Sequence, residues 1–202
     1  MTLPLTEIMR DVVRQEADGL AALAKTMDEN WTRAVLALDG VRRSGGRAIV
    51  SGVGKSGHVG RKIAATLAST GTPAFFLHGT EASHGDLGMI APGDAVVMLS
   101  ASGSTREMRD VAAACRDRGV ALVLITRNAS GELAAHADHV LLLPDLPEAD
   151  PNGLAPTVSS TQTLAAGDAL AIALMRLAGF SRADFGRHHP GGKLGIEARG
   201  GN

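Results

Sequence analysis

The amino-acid sequence is short of cysteine and of aromatic residues. Cys115 is the only cysteine among 202 residues, which excludes a disulfide framework and leads us to expect a cytoplasmic protein. Aromatic residues make up 2% of the chain and tyrosine is missing, so we expect no surfaces that stack on nucleic-acid bases. The formal net charge is −1 and the sequence has no basic block, which likewise indicates no nucleic-acid partner.

Long apolar runs are missing as well. Hydrophobic residues make up 45% of the chain, but no run is long enough to span a membrane, so we expect no membrane partner. Glu7, Arg10 and Asp11 interrupt the first apolar residues, which excludes the continuous core of a signal peptide. The length suits one domain over residues 1–202, with N-terminal helices at 1–45, a core at 46–195 and a tail at 196–202.

The chain is organised around a glycine-rich turn. A short apolar run at 49–53 leads into this turn, which contains Lys55 and Ser56, and an amphipathic segment at 59–67 follows. A strand, a tight loop and a helix in this order present backbone N–H groups and a helix N-terminus to an anion. We therefore predict that the loop binds a phosphate group. A generic tight turn between a strand and a helix is the alternative.

Two nucleotide-binding patterns overlap in this loop, and neither is satisfied. The P-loop pattern requires a glycine five residues before the glycine that precedes the lysine, but that position is Ile49. The dinucleotide pattern is matched by Gly52, Gly54 and Gly57. It also requires an acidic residue about 20 residues further on, at the end of the second strand. The nearest acid, Glu81, lies in a loop, so a nucleotide-binding module is the least favoured interpretation.

The apolar pattern along the chain indicates an α/β fold. Apolar residues at helical spacing predict a helix over 5–27 and a second helix, capped by Asn30, that ends near 44–46. We expect this pair to cover a sheet face or an oligomer interface. Further on, strands are predicted at 48–53, 74–77, 95–99, 121–125 and 140–143, and helices at 59–69, 106–116, 130–137 and 157–177. This alternation indicates a three-layer αβα sandwich with a five-stranded parallel sheet, in which ligands lie beyond the carboxyl ends of the strands.

Hydroxyl-rich segments follow the third strand and open the last long helix, where they suit a phosphate monoester. With the glycine loop they make up the predicted phosphate-binding set: Gly54, Ser56, Ser100, Ser102, Thr105, Ser159, Ser160 and Thr161. Turn and capping roles are the alternative for these hydroxyls, and Thr157 is a candidate cap of its helix. Ser104 and Glu107 have the spacing of a capping box, so spacing alone leaves Glu107 open between a helix cap and a catalytic carboxylate.

Six motifs then occur in order along the chain: Gly-Val-Gly-Lys-Ser-Gly-His (52–58), Glu-Ala-Ser-His-Gly-Asp-Leu-Gly-Met (81–89), Ser-x-Ser-Gly (100–103), Gly-Leu-Ala-Pro-Thr-x-Ser-Ser-Thr (153–161), Gly-Asp-Ala-Leu-Ala (167–171) and His-Pro-Gly-Gly-x-Leu-Gly (189–195). Together they closely resemble the D-arabinose 5-phosphate isomerases, which contain a sugar isomerase (SIS) domain with a flavodoxin-like fold. The sequence departs from the family pattern at Ser104 and at 150–152, which leaves loop packing and substrate fit open there. Typical bacterial members append a pair of CBS modules, and because this chain ends at Asn202 we expect none here.

The resemblance implies interconversion of D-ribulose 5-phosphate and D-arabinose 5-phosphate, an aldose–ketose isomerisation that requires no cofactor. It also implies a homotetramer whose active sites combine residues of more than one subunit. The active-site lysine, two glutamates and histidine of the family fall on Lys55, Glu107, Glu148 and His189. Lipopolysaccharide sugar synthesis is the family expectation for the use of the product, with capsule or other glycan synthesis as alternatives.

The chemistry of such a reaction agrees with these residue types. Moving a carbonyl between C1 and C2 requires ring opening of the aldose, abstraction of a proton next to the carbonyl and its return to the neighbouring carbon. A positioned carboxylate or imidazole contributes about 10²–10⁴-fold to such a step, and the enediolate needs a cation or N–H donors. We hypothesise that Glu148 or Glu107 moves the proton, His189 assists ring opening, and Lys55 stabilises negative charge on the phosphate or the enediolate.

A metal site is a weaker hypothesis. His84, beside Glu81 and Asp86, is a candidate ligand of an inhibitory or structural divalent metal, alone or together with His189. Hydrogen bonding within a polar loop is the favoured interpretation, because carboxylates alone can carry out the reaction.

Two further residues are assigned to packing. Asp168 is expected to have a structural role in a core-facing segment, and Cys115 is expected to be a small core residue.

Two other functions remain as alternatives. The first is an SIS isomerase for another ketose phosphate, and the second is a non-catalytic regulator that binds a sugar phosphate. Regulators of that kind usually carry a DNA-binding helix-turn-helix domain, and the first 45 residues show no basic recognition helix. The presence of Lys55, Glu107, Glu148 and His189 also favours an enzyme.

Overall fold

The computed structural model describes residues 4–198 and residue 200. Its centre is a parallel sheet of five strands: β1 (Ala48–Gly52), β2 (Ala74–His78), β3 (Ala95–Leu99), β4 (Ala121–Thr126) and β5 (His139–Leu142). The strands lie in the order β2-β1-β3-β4-β5, which is the flavodoxin-like order. Val50 pairs with Phe76 on one side and Val97 on the other, and Val97 pairs with Val123. The predicted fold class and all five predicted strands are confirmed.

Helices cover both faces of this sheet. They are α1 (Leu5–Thr26), α2 (Glu29–Arg43), α3 (Gly54–Ser69), α4 (Gly79–Ala82), α5 (Arg109–Arg118), α6 (Val158–Leu177), α7 (Arg182–His188) and α8 (Lys193–Ala198). Short 3₁₀ helices occur at Asp86–Met89, Arg106–Met108 and Glu132–His136. Between residues 4 and 198, no single helix is both long and apolar enough to cross a membrane; α6 and α7 pass such a test only as a pair bent by 117°.

Two separate apolar cores follow from the alternation of side chains along the strands. Val50 and Val97 point to the face covered by α2, α3 and α6. Their neighbours Ile49 and Met98 belong to the other face, where they lie among residues of α5 such as Val111. Because both faces of the strands are buried, the strands read in the sequence as continuous apolar runs.

The second N-terminal helix, α2, attaches directly to this core. Trp31 and Leu38 of α2 are buried in the core, so α2 covers one face of the sheet as expected. The predicted cap was wrong: Asp28 caps α2 by accepting a hydrogen bond from the N–H of Asn30. The Asn30 side chain instead donates to the Val140 carbonyl oxygen at 2.6 Å and ties α2 to β5.

Four predicted elements differ from the structure. The helix predicted at 106–116 is the 3₁₀ helix Arg106–Met108 followed by α5. The helix predicted at 130–137 is only the 3₁₀ helix Glu132–His136, because the Leu133 N–H donates to Gly103 O at 2.8 Å and not to a carbonyl one helical turn earlier. The helix after β1 begins at Gly54, inside the glycine turn, and not at residue 59. The polar loop expected around Glu81 and His84 contains α4, and the C-terminal segment forms α7 and α8, which were not predicted.

Candidate active site

A cavity of about 280 Å³ lies where the N-termini of α3 and α6 meet the ends of the central strands. Five of the predicted site residues line it together: Lys55, Ser56, Glu148, Ser159 and Ser160. The remaining lining residues are Val53, Val59, Ala101, Arg127, Gly153, Leu154, Pro156 and Thr163. The cavity therefore joins the start of α3, which carries a lysine, to the start of α6, which carries hydroxyl groups and lies beside the carboxylate of Glu148.

The N-terminus of α3 is built to meet an anion. Gly54 begins the helix with φ +55°, a conformation that favours glycine, and Lys55 and Ser56 follow in the first turn. Val53 precedes the helix without any side-chain cap, and the first turn contains no acidic residue. The first N–H groups of α3 and its dipole are therefore left for a ligand, which makes this helix end suitable for a phosphate.

The N-terminus of α6 is occupied by the carboxylate of Glu148. Its Oε2 accepts hydrogen bonds from the N–H of Thr157 at 2.8 Å, the N–H of Ser159 at 3.1 Å and the hydroxyl of Thr157 at 3.3 Å. Thr157 stands at the N-cap position, but its side chain makes no cap bond; its Oγ1 instead accepts from the N–H of Ala149. Glu148 thus caps α6 from outside the helix, in place of the cap expected at Thr157.

Electrostatics keep this carboxylate charged. The Glu148 side chain is only 7% exposed, and its Oε1 lies 3.4 Å from Nη1 of Arg127. Burial acts to raise the pKa of Glu148, but hydrogen bonds from Ser159 and Thr157 and the charge of Arg127 outweigh it and lower the pKa below its ordinary value. At neutral pH Glu148 is therefore an anion, positioned beside the cavity and able to accept a proton.

The hydroxyl-rich loop after β3 brings Ser100 and Thr105 together. The Oγ of Ser100 is buried and lies 2.7 Å from Oγ1 of Thr105, while Ser102 Oγ accepts from the N–H of Ser104. The capping box predicted for Ser104 and Glu107 is wrong: the 3₁₀ helix that begins at Arg106 has no side-chain cap. Ser104 Oγ instead accepts from the N–H of Glu132 at 3.4 Å.

Glu107 and His189 lie outside the cavity of this single chain. Glu107 is exposed, and its carboxylate makes no hydrogen bond or ion pair with residues 4–198 or 200. His189 follows α7, where its ring stacks on Phe185 with the centroids 3.9 Å apart and its Nδ1 lies 3.0 Å from the Phe185 carbonyl oxygen.

The other predicted phosphate-binding residues that do not line the cavity are Gly54, Ser100, Ser102, Thr105 and Thr161. Ala101, between two of these serines, does line it. The loop after β3 therefore reaches the cavity through Ala101.

The structure gives no support to a metal at His84. Across the described ranges, 4–198 and 200, no group of three or more His, Cys, Asp or Glu side chains is arranged to hold a metal ion. His84, Glu81 and Asp86 are all exposed in the segment between β2 and β3.

The two residues assigned to packing have different outcomes. Cys115 is buried, and desolvation raises the pKa of its thiol to about 12, so it is a core residue as expected. Asp168 does not face the core: its side chain is 42% exposed and forms an ion pair with Lys62. This ion pair connects α6 to α3, which keeps the structural role but corrects its location.

Arg127 is a lining residue that the sequence did not single out. It directly follows β4, at the carboxyl edge of the sheet where ligands of such folds bind. Its position after a strand was therefore the signal available in the sequence, and its partner Glu148 is 21 residues further along the chain.

Comparison with known proteins places this geometry in a family. The SIS domain family model matches residues 42–173. The arabinose 5-phosphate isomerase KpsF of Escherichia coli is 49% identical over 187 residues, which are 93% of this chain and 58% of that protein. The arabinose 5-phosphate isomerase KdsD of Escherichia coli K12 is 45% identical over 186 residues, 92% of this chain and 56% of KdsD. The chain thus spans little more than half the length of these relatives.

A solved structure from E. coli CFT073, in complex with arabinose 5-phosphate, is similar over nearly its full extent. It superposes with a TM-score of 0.87 at 41% identity, covering 92% of this chain and 97% of that one. More distant chains, such as the phosphoheptose isomerase GmhA of Neisseria gonorrhoeae at 16% identity and a TM-score of 0.68, share the fold.

The cap formed by Glu148 predicts how stability depends on pH. Because its pKa is lowered in the folded protein, its charge contributes stability above pH 4.5, the ordinary value, that is lost as the pH falls through the folded-state pKa. At pH 7 we expect Glu148→Gln to lower the free energy of unfolding by about 0.5–2 kcal/mol, the range for a lost cap. That deficit should shrink at about pH 3.5, as measured by chemical denaturation.

Asp145→Asn is the matched control for this measurement. Asp145 lies at the same 3.4 Å from Arg127 Nη1 but is 79% exposed, so its removal should leave stability nearly unchanged. A Glu148→Gln deficit of equal size at both pH values would show that the charge of Glu148 does not stabilise the fold.

Proposed function

The chain belongs to the SIS domain family, and we propose that it is an aldose–ketose isomerase that interconverts D-ribulose 5-phosphate and D-arabinose 5-phosphate. The observation that carries this proposal is the cavity in which an uncapped helix start with Lys55 faces the buried carboxylate of Glu148. The names of the relatives, which cover most of this chain, support the choice of substrate.

The two ends of the cavity suit the two ends of the substrate. The phosphate would bind at the N-terminus of α3, where Lys55, Ser56 and free N–H groups supply donors and positive charge. The carbonyl end would then lie toward Glu148. In our proposal Glu148 removes the proton from C1 of the ketose, a C1=C2 double bond forms and the carbonyl electron pair moves to O2, which gives an enediolate. The hydroxyl proton of O1 then passes to O2, and Glu148 returns its proton to C2 as C1 becomes the aldehyde. No electron leaves the substrate, so the proposal includes no redox cofactor.

We further propose that the complete site forms only in a homotetramer. Glu107 and His189 lie outside the cavity of a single chain, so a partner subunit would bring such residues to it. The chain offers apolar surface for that purpose. On α1, Leu5, Met9 and Val13 are 61%, 61% and 65% exposed. A second apolar surface, a groove of about 490 Å³, lies between α2 and α6. Apolar surface of this kind is typical of an interface.

The proposal also includes a cellular location and a use for the product. Cytoplasmic location rests on the cysteine content, and use of the product in lipopolysaccharide or another glycan rests on the family resemblance.

Turnover of D-ribulose 5-phosphate tests the function directly, and two substitutions test the role of the glutamates. We expect the purified protein to form D-arabinose 5-phosphate, and Glu148→Gln and Glu107→Gln each to lower kcat, by about 10²–10⁴-fold for the residue that moves the proton. Glu132→Gln is the control, since Glu132 is 48% exposed and pairs with Arg109 at the surface. If Glu148→Gln kept the wild-type kcat, the proposal that Glu148 moves the proton would be refuted, and if both site variants kept it, neither glutamate would move the proton. If the protein converted sedoheptulose 7-phosphate but not D-ribulose 5-phosphate, it would be an isomerase of another ketose phosphate.

Mixing of inactive subunits tests the shared site. We expect Glu148→Gln and His189→Ala to be inactive alone, and co-refolding of the two variants to recover part of the activity, because some mixed sites then receive both intact residues. Co-refolding of each variant with itself is the control. Activity that stays at the level of the separate variants would mean that each chain builds its own site.

A further inference from the structure

Arg127 stands between the cavity and the carboxylate of Glu148. Its Nη1 lies 3.4 Å from each of three oxygens: the Glu148 Oε1, the Asp145 Oδ1 and the Leu146 carbonyl oxygen. Good charge-assisted hydrogen bonds have lengths of about 2.7–2.9 Å. The guanidinium is therefore near its anionic neighbour without a close or bidentate bond to it.

Most of the donors of this guanidinium are unused. An arginine side chain carries five N–H donors. The Nε of Arg127 is buried and has no hydrogen-bond partner, and its Nη2 makes no bond to any residue in the described parts of the chain. The side chain is 26% exposed and lines the cavity. An under-used, partly buried cation at a cavity wall is energetically unfavourable unless a ligand supplies acceptors.

The charge of the cavity agrees with an anionic ligand. Among the residues that line it, Lys55 and Arg127 are cations and Glu148 is the one anion. Lys55 belongs to the start of α3, whereas Arg127 lies beside Glu148. The two cations therefore come from different elements of the cavity wall, Lys55 from the start of α3 and Arg127 from the end of β4.

This inference rests on the proposed function, because Glu148 is taken as the group that moves the proton. A base of this kind must come within about 2.6–3.2 Å of the proton that it removes. A cation beside the base is then also beside the oxygens on C1 and C2, at a distance from the phosphate.

We propose that Arg127 is a catalytic residue that stabilises the enediolate oxygen, while Lys55 serves the phosphate. When Glu148 removes the C1 proton, the electron pair shifts onto O2, and the free N–H groups of Arg127 donate to that oxygen. Glu148 becomes neutral as the substrate gains a negative charge on O2, so the guanidinium exchanges one anionic partner for another. This arrangement supplies stabilisation only where charge develops in the transition state.

The test compares a ground-state analogue with an enediolate analogue. D-Arabinitol 5-phosphate has the phosphate but no carbonyl. A four-carbon phosphorylated hydroxamic acid, whose nitrogen takes the place of C1, presents an anionic oxygen pair in the place of the enediolate. For Arg127→Gln we expect kcat to fall about 10²–10³-fold, as for the loss of an oxyanion donor. The hydroxamate should bind about 10²-fold more weakly, with arabinitol phosphate affinity within about threefold of the wild type.

Two further variants keep the test decisive. Arg127→Lys retains a charge but not the planar donor array, and we expect it to recover part of the lost kcat. Arg109→Gln removes an exposed arginine that pairs with Glu132 at 2.7 Å and should change neither binding nor kcat. If Arg127→Gln and Arg127→Lys keep the wild-type kcat, or if both analogues weaken equally, the enediolate role is overturned and the isomerase function stands. A wild-type protein inactive on every ketose phosphate overturns both.

Discussion

The carboxylate of Glu148 at the N-terminus of α6 is the interaction on which the rest of the site depends. One oxygen accepts hydrogen bonds from the backbone of Thr157 and Ser159, and the other faces Arg127. The segment after β5, the start of α6 and the end of β4 are held together by this one group. The same charge that stabilises the helix start is the charge proposed to take a proton. Protonation of Glu148 would weaken the cap, so the protein would hold the protonated form only briefly. In our proposal Arg127 then donates to the enediolate oxygen of the substrate, which favours the transfer of the proton.

Close packing of two helices brings the two halves of the cavity together. Gly167 of α6 lies so near Ile63 of α3 that a Cβ at position 167 would clash with the Ile63 side chain. The ion pair between Lys62 and Asp168 joins the same two helices. Because α3 and α6 approach so closely, their N-termini open on one cavity. The helix start of α3 is left free for an anion, while that of α6 is already satisfied by a side chain.

The sequence predicted the sheet well because its strands are buried on both faces and read as unbroken apolar runs. It also predicted the cavity residues that sit at strand ends and helix starts, such as Lys55 and Ser160. It did not predict that Glu148 caps α6, because that cap comes from a residue nine positions before Thr157, outside the local capping pattern. Arg127 was missed for the same reason: its partner lies 21 residues away. The short helix predicted at 130–137 failed because a tertiary hydrogen bond to Gly103 replaces a helical one.

Isotope exchange is the most direct measurement of the central claim, that a carboxylate of this cavity moves a proton through an enediolate. D-Ribulose 5-phosphate would be incubated with the protein in deuterated water until the isomers reach equilibrium, and the products would be analysed by NMR and mass spectrometry. Proton transfer through Glu148 predicts deuterium at C2 of D-arabinose 5-phosphate, because the proton on the carboxyl group exchanges with solvent while the enediolate is bound. Arabinose 5-phosphate without deuterium would mean direct hydride transfer between the carbons and would contradict the enediolate route.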